Sequence, residues 1–150
     1  MKYLFASTLL FCFLSARSQS LPMGDSSDIY ISRLGWESFG VVLNYLPRLS
    51  LGEDAKRLIT IQDYSKIKKL VVNITDSQKT VVIHLILTNL LEPDNKAFGV
   101  TYKYGKDSRI KGYDATYNGL TWTTDSLSKN SISQEEINKI DRYWRKECHL

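Results

Sequence analysis

From Trp36 the apolar positions Trp36, Phe39, Val42, Leu43 and Leu46 recur in steps of three, three, one and three, a helical stripe that Pro47 closes and Gly40 weakens. That spacing predicts a helix. The stretch from 53 to 91 admits two readings. Leu70-Val71-Val72 and Val81-Val82-Ile83 are β-branched enough for a hairpin turning through Asp76-Ser77-Gln78. Against that, Thr75 and Gln78 have the spacing of a capping box, and Glu92-Pro93 ends the apolar run as a helix ends. The run from Thr80 to Leu91 is also long for a strand. Ile67, Leu70, Val71 and Ile74 recur at helical spacing, with Lys66, Lys68 and Lys69 assigned to the wet side. Two helices are therefore expected, over about 63–73 and 76–91.

Beyond Pro93 the period changes to two. Phe98, Val100, Tyr102 and Tyr104 alternate with Gly99, Thr101 and Lys103. After a loop at 105–108, the segments Tyr113–Tyr117 and Leu120–Thr124 flank Asn118-Gly119, the dipeptide that a type I′ hairpin turn favours. The turn dictates the pairing: Tyr117 faces Leu120, Ala115 faces Trp122 and Tyr113 faces Thr124, all on one face of the sheet. The chain closes on Ser133-Gln134-Glu135-Glu136, a second capping box, and a helix with Ile137, Ile140, Trp144 and Cys148 on one stripe. Glu135 and Glu136 in its first turn and Arg145 and Lys146 in its last suit the helix dipole.

The N-terminus adds an address. Met1-Lys2 precedes an apolar stretch from Tyr3 to Leu14, and Ala16 and Ser18 are small residues at the −3 and −1 positions of a cleavage site before Gln19. The stretch is too short to cross a bilayer as a helix, so it reads as a secretory signal peptide. Cys12 follows Phe11 within the apolar core, which excludes a lipoprotein site. No other stretch approaches spanning length, so no transmembrane segment is expected after signal removal. The expected product is exported, periplasmic or extracellular. The polar run that follows, with Pro22 and Gly24, reads as a loose leader.

The expected fold is α+β. An N-terminal helical subdomain, an antiparallel three-stranded meander over about 97–124 and a C-terminal amphipathic helix over about 134–147 form a single globular domain spanning 31–150. It follows a signal peptide at 1–18 and a leader at 19–30. The 150 residues, 43% of them hydrophobic and 24% charged, leave room for one domain and disfavour disorder. Removing Lys2 and Arg17 from the 20 basic side chains leaves 18 against 16 acidic ones, a net +2. So weak a bias, in an exported chain, excludes nucleic acid as the expected partner.

With two helices in place, RLITIQDYSKIKKLVVNITDSQKTVVIHLILTNLL resembles one HEAT-type helical repeat unit over about 53–91. Leu58-Ile59, Ile67, Leu70, Ile74, Asp76, Val81-Val82 and Leu85 carry the likeness. The turn glycine and proline of that pattern are absent, with Gln62 and Lys68 standing near their places. A solenoid needs several units to bury its faces, so one unit implies a helical subdomain.

Chemistry-bearing residues are few. Signal cleavage removes Cys12, leaving Cys148 as the one thiol, which the terminal stripe turns toward the domain. A monomer is expected. His84 lies within an apolar run with no second ligand at metal spacing, which favours a hydrogen-bonded core histidine over a base or a metal ligand. His149 is next to the terminus. No nucleophile elbow or phosphate loop occurs, and the carboxylate pairs Asp25/Asp28 and Glu135/Glu136 occupy leader and cap positions. This disfavours an enzyme; no cofactor and no metal is expected. Asn73-Ile74-Thr75 matches a glycosylation sequon at a helix junction.

The residues that stand out are aromatic. Tyr102, Tyr104, Tyr113, Tyr117 and Trp122 share one inferred sheet face, with Lys103, Lys106, Arg109 and Lys111 close by in sequence. That face either packs on the helices as core or forms an aromatic platform for sugar or protein. The functional expectation is an exported, non-catalytic protein-interaction domain, for instance an immunity-type inhibitor of an exported toxin. The alternatives are a carbohydrate or cell-envelope binding module using the aromatic face, and a small hydrolase with a dispersed site.

Overall fold

The computed structural model describes residues 26–61, 64–94 and 96–150, so the signal peptide and most of the expected leader lie outside the described residues. Part of the expected leader is helical. Helix α1 (Ser26–Ser32) starts within 19–30 and leads to the buried Ile31 and Leu34, while Asp28 meets Lys69 at 2.9 Å. Two apolar anchors hold this segment, which its polar composition concealed.

The helix expected from Trp36 to Leu46 is not formed. A single 3-10 turn at Trp36–Ser38 runs into strand β1 (Phe39–Val42), which pairs antiparallel with β2 (Arg48–Leu51) from Phe39↔Leu51 to Val42↔Arg48. Gly40 disfavours helix, and the β-branched Val41-Val42 favour strand locally. The deciding contact is tertiary: the Phe39 ring stands edge-on to Trp122 at 5.6 Å and tilted to Trp36 at 5.9 Å.

Helices α2 (Glu53–Thr60), α3 (Ser65–Asn73) and α4 (Thr80–Leu91) follow. Every residue of α4 from Thr80 to Thr88 is buried, which makes it the central element of the core. The expected Thr75–Gln78 capping box is replaced by a turn. Asp76 Oδ1 accepts from the Gln78 N–H at 2.9 Å, and the Asp76 carbonyl receives the Lys79 and Thr80 N–H groups, so the helix starts at Thr80 rather than 76. Lys66 also departs from expectation. It is 3% exposed, and its ammonium donates to the Leu58 carbonyl at 2.6 Å and to that of Ile61, at the carbonyl end of α2.

The expected three-stranded meander is a four-stranded antiparallel sheet in the order β3 (Phe98–Tyr104), β4 (Ile110–Tyr117), β5 (Leu120–Asp125) and β6 (Asn130–Ser131). The register across Asn118-Gly119 is the one that turn chemistry requires, Tyr117↔Leu120, Ala115↔Trp122 and Tyr113↔Thr124, with φ of 43° and 83° at the two turn residues. The short β6 is polar and has no pattern of its own. It joins through Thr124↔Asn130, helped by a 2.6 Å hydrogen bond between those side chains, after a turn in which Asp125 Oδ1 accepts from the Leu127 and Lys129 amides.

Helix α5 (Gln134–Glu147) has the expected bounds, with Ser133 Oγ accepting from the Glu136 N–H at 3.2 Å. The Glu136 carboxylate reaches the sheet, accepting from the Thr121 N–H at 2.8 Å and from Lys139. The cap therefore also docks the helix on β5. Ile137, Ile140 and Trp144 are buried, and Cys148 packs half-buried against the core.

Candidate functional site

The sheet's aromatic face is graded from core to solvent. The register puts Phe98, Tyr117 and Leu120 in one row, Val100, Ala115 and Trp122 in the next, and Tyr102, Tyr113 and Thr124 in a third. Tyr117 (4% exposed) and Trp122 (1%) belong to the core, Tyr102 and Tyr113 are half-buried, and Tyr104 is 64% exposed beyond the bulge at Lys103/Tyr104. The helices cover one end of the face, which takes Tyr117 and Trp122 into the core.

The basic residues do not join this face. Lys103 alternates to the outer side, where its ammonium lies 2.6 Å from Asp114 Oδ1 and Thr123 Oγ1 donates to the same oxygen at 2.6 Å. These partners hold the Asp114 carboxyl below its ordinary range, Lys103 contributing most. Arg109 and Lys111 sit around the β3–β4 turn with Asp107, at 3.8 and 3.4 Å, and are exposed, as is Lys106. Cross-strand and turn pairing accounts for Lys103, Arg109 and Lys111.

His84 is held on both ring nitrogens. Its Nδ1 lies 2.9 Å from Trp144 Nε1, an atom that can only donate, so Nδ1 is the acceptor and the ring proton resides on Nε2. Nε2–H then donates to the Tyr117 carbonyl at 3.0 Å. Burial lowers the imidazole pKa to about 4, so the ring is neutral near neutrality. This is a three-element clasp of α4, β4 and α5, with no nitrogen left for a substrate or a metal. Among the described residues no group of three or more His, Cys, Asp or Glu side chains could hold a metal ion. Asn73 of the sequon is half-buried in α3, its amide donating to the Lys69 carbonyl at 2.8 Å.

The surface feature that stands apart is the β1–β2 hairpin tip. Val42, Leu43, Tyr45 and Leu46 are all exposed, Tyr45 by 98% and Leu46 by 68%. Isolated exposed apolar side chains are ordinary, whereas four within five positions on one tip form a patch. Beside it, between β2 and the start of β3, lies a groove of about 420 Å³ lined by Leu49, Leu51, Leu85, Phe98 and Tyr117, with Arg48 and Lys96 among its polar lining residues.

Sequence reasoning missed this surface, because Val42, Leu43 and Leu46 fit the buried stripe of an expected helix. The available signal was a β-branched pair after glycine, followed by Asn44 and a proline. No protein-family model, curated protein or solved structure matches the chain. No helix among the described residues is long and apolar enough to cross a membrane.

Proposed function

We propose that the mature chain is an exported, non-catalytic protein-interaction domain, of the kind an immunity-type inhibitor of an exported toxin would be. The observation that carries the reading is the hairpin tip, which presents Val42, Leu43, Tyr45 and Leu46 to solvent next to an apolar groove. Three exposed aliphatic side chains beside a fully exposed tyrosine form an apolar, aromatic surface of the kind an interface core uses. Engagement of both His84 nitrogens in the core removes that imidazole as a base for hydrolysis, which is consistent with a binding role.

The test is affinity capture from the exported fraction with the intact chain and with a Tyr45→Ser/Leu46→Ser variant. Neither side chain is buried, so the variant keeps its thermal stability and loses the captured protein. Equal capture by both proteins overturns the reading.

A further inference from the structure

We propose that the open edge of β3 is the docking site for an extended, carboxylate-bearing segment of a partner protein, which adds to the sheet as a further strand and seats an apolar side chain in the groove beside β2. This rests on the protein-interaction reading and specifies the chemistry of the partner.

Among the described residues, the backbone of β3 leaves a row of hydrogen-bonding groups unpaired. The strand order leaves β3 at one end of the sheet. Asn118 N–H donates to the Ala97 carbonyl at 3.0 Å, and the register pairs Gly99↔Thr116, Thr101↔Asp114 and Lys103↔Gly112. Odd-numbered residues therefore direct their peptide groups toward β4, and by alternation Phe98, Val100 and Tyr102 direct theirs to the free edge. Sheets blunt such edges with short strands, prolines, bulges or guarding lysines. The opposite edge follows that practice: β6 is two residues long. In contrast, β3 runs for seven residues without proline, its bulge lies at its far end, and Lys103 is committed to Asp114 on the outer face.

Leu49, Leu51, Leu85, Phe98 and Tyr117 line an apolar recess of about 420 Å³ at the start of this edge. Arg48 and Lys96 stand at the same recess, both exposed, and neither has a side-chain partner among the described residues. An incoming strand that carries a branched apolar residue flanked at i−2 and i+2 by carboxylates, all on its recess face, satisfies all three features: backbone groups at the edge, an apolar side chain in the recess, carboxylates at the two cations. A second copy of this chain would offer Phe98–Tyr104 as the added strand, which carries no carboxylate to meet Arg48 and Lys96, so self-pairing is disfavoured.

The probe is a fluorescein-labelled peptide with glutamate, valine and glutamate at alternate positions and threonine between them, titrated with the intact protein by fluorescence anisotropy. Binding is expected to weaken about tenfold in Arg48→Glu/Lys96→Glu, and likewise on raising salt to about 0.5 M. The same peptide with lysine in place of glutamate should then bind the reversed variant better than the native protein. Peptides N-methylated at every second amide separate strand addition from charge attraction on the native protein itself. Methylation in one phase abolishes binding and in the other phase leaves it intact.

Equal behaviour of the two methylated phases overturns the proposal, as does indifference to charge reversal. So does a concentration-dependent dimer in sedimentation that excludes the peptide. If the peptide fails while the hairpin-tip variant still loses its captured protein, the edge proposal alone has failed. If the peptide binds as expected and the tip variant captures normally, the tip is not the anchor and the edge stands.

Discussion

Acidification should destabilise this protein through His84. The unfolded imidazole has a pKa near 6.5, and burial among Val81, Val82 and Leu85 lowers the folded value to about 4. Glu92 opposes that shift and Lys139 adds to it, but desolvation is the largest cause. A second proton would have to reside on Nδ1, where it would face the Trp144 indole N–H, breaking that hydrogen bond and burying a charge.

Because the folded pKa lies below the unfolded one, the unfolded chain binds more protons between these two values. Stability is therefore complete above about pH 6.5 and falls as pH drops toward about 4. The whole interval corresponds to about 3 kcal/mol, of which about 2 kcal/mol is lost by pH 5. With a urea slope of about 2 kcal/mol per molar, the midpoint should fall by about 1 M between pH 7.5 and pH 5. Urea unfolding followed by tryptophan fluorescence at the two pH values measures it, with His84→Gln as the control. The variant should be less stable near neutrality and show a flatter dependence over the same interval. A native protein whose midpoint is the same at both pH values would refute the buried-imidazole argument, and so would an unchanged slope in the variant.

Other outcomes follow from the same contacts. Trp122→Ala should cost about 3–5 kcal/mol in chemical unfolding, since the indole is 1% exposed and meets Phe39 edge-on. Unchanged melting would place that ring outside the core. Gly112→Ala should cost at least about 2 kcal/mol, because φ there is +144° and a Cβ would lie 2.3 Å from the Thr124 carbonyl oxygen; a neutral melting temperature would contradict the β4–β5 geometry. Burial, with the Glu147 charge, raises the Cys148 thiol pKa, so a thiol reagent should modify it more slowly in the native state than in denaturant. A reductant-sensitive dimer on non-reducing gels would refute the packed thiol. The exported form should begin at Gln19, as intact mass or N-terminal sequencing would show; a mature chain retaining Met1–Leu14 would contradict it.

Much of the sheet and the last helix could be read from residues close together in the chain. Asn118-Gly119 admits one turn geometry, that turn admits one pairing, and alternation places Tyr117, Ala115 and Tyr113 on the face of Leu120 and Trp122. Ser133 and Glu136 mark the start of α5 by a hydrogen bond made within one turn. Long apolar runs of helical length identified α4 for the same reason: the information is local.

What local pattern could not supply is which of two compatible periods the environment selects. Trp36 to Leu46 has helical spacing, yet Phe39 finds Trp122, some eighty residues away, only from a strand. Lys66 has the side chain of a wet position, and only the approach of the α2 carbonyl end explains its burial. The hairpin tip was hidden by the same ambiguity. Its aliphatic residues would be core on a helix and are surface on a hairpin, and that difference is decided by the packing of Phe39 against the sheet rather than by the residues of the tip themselves.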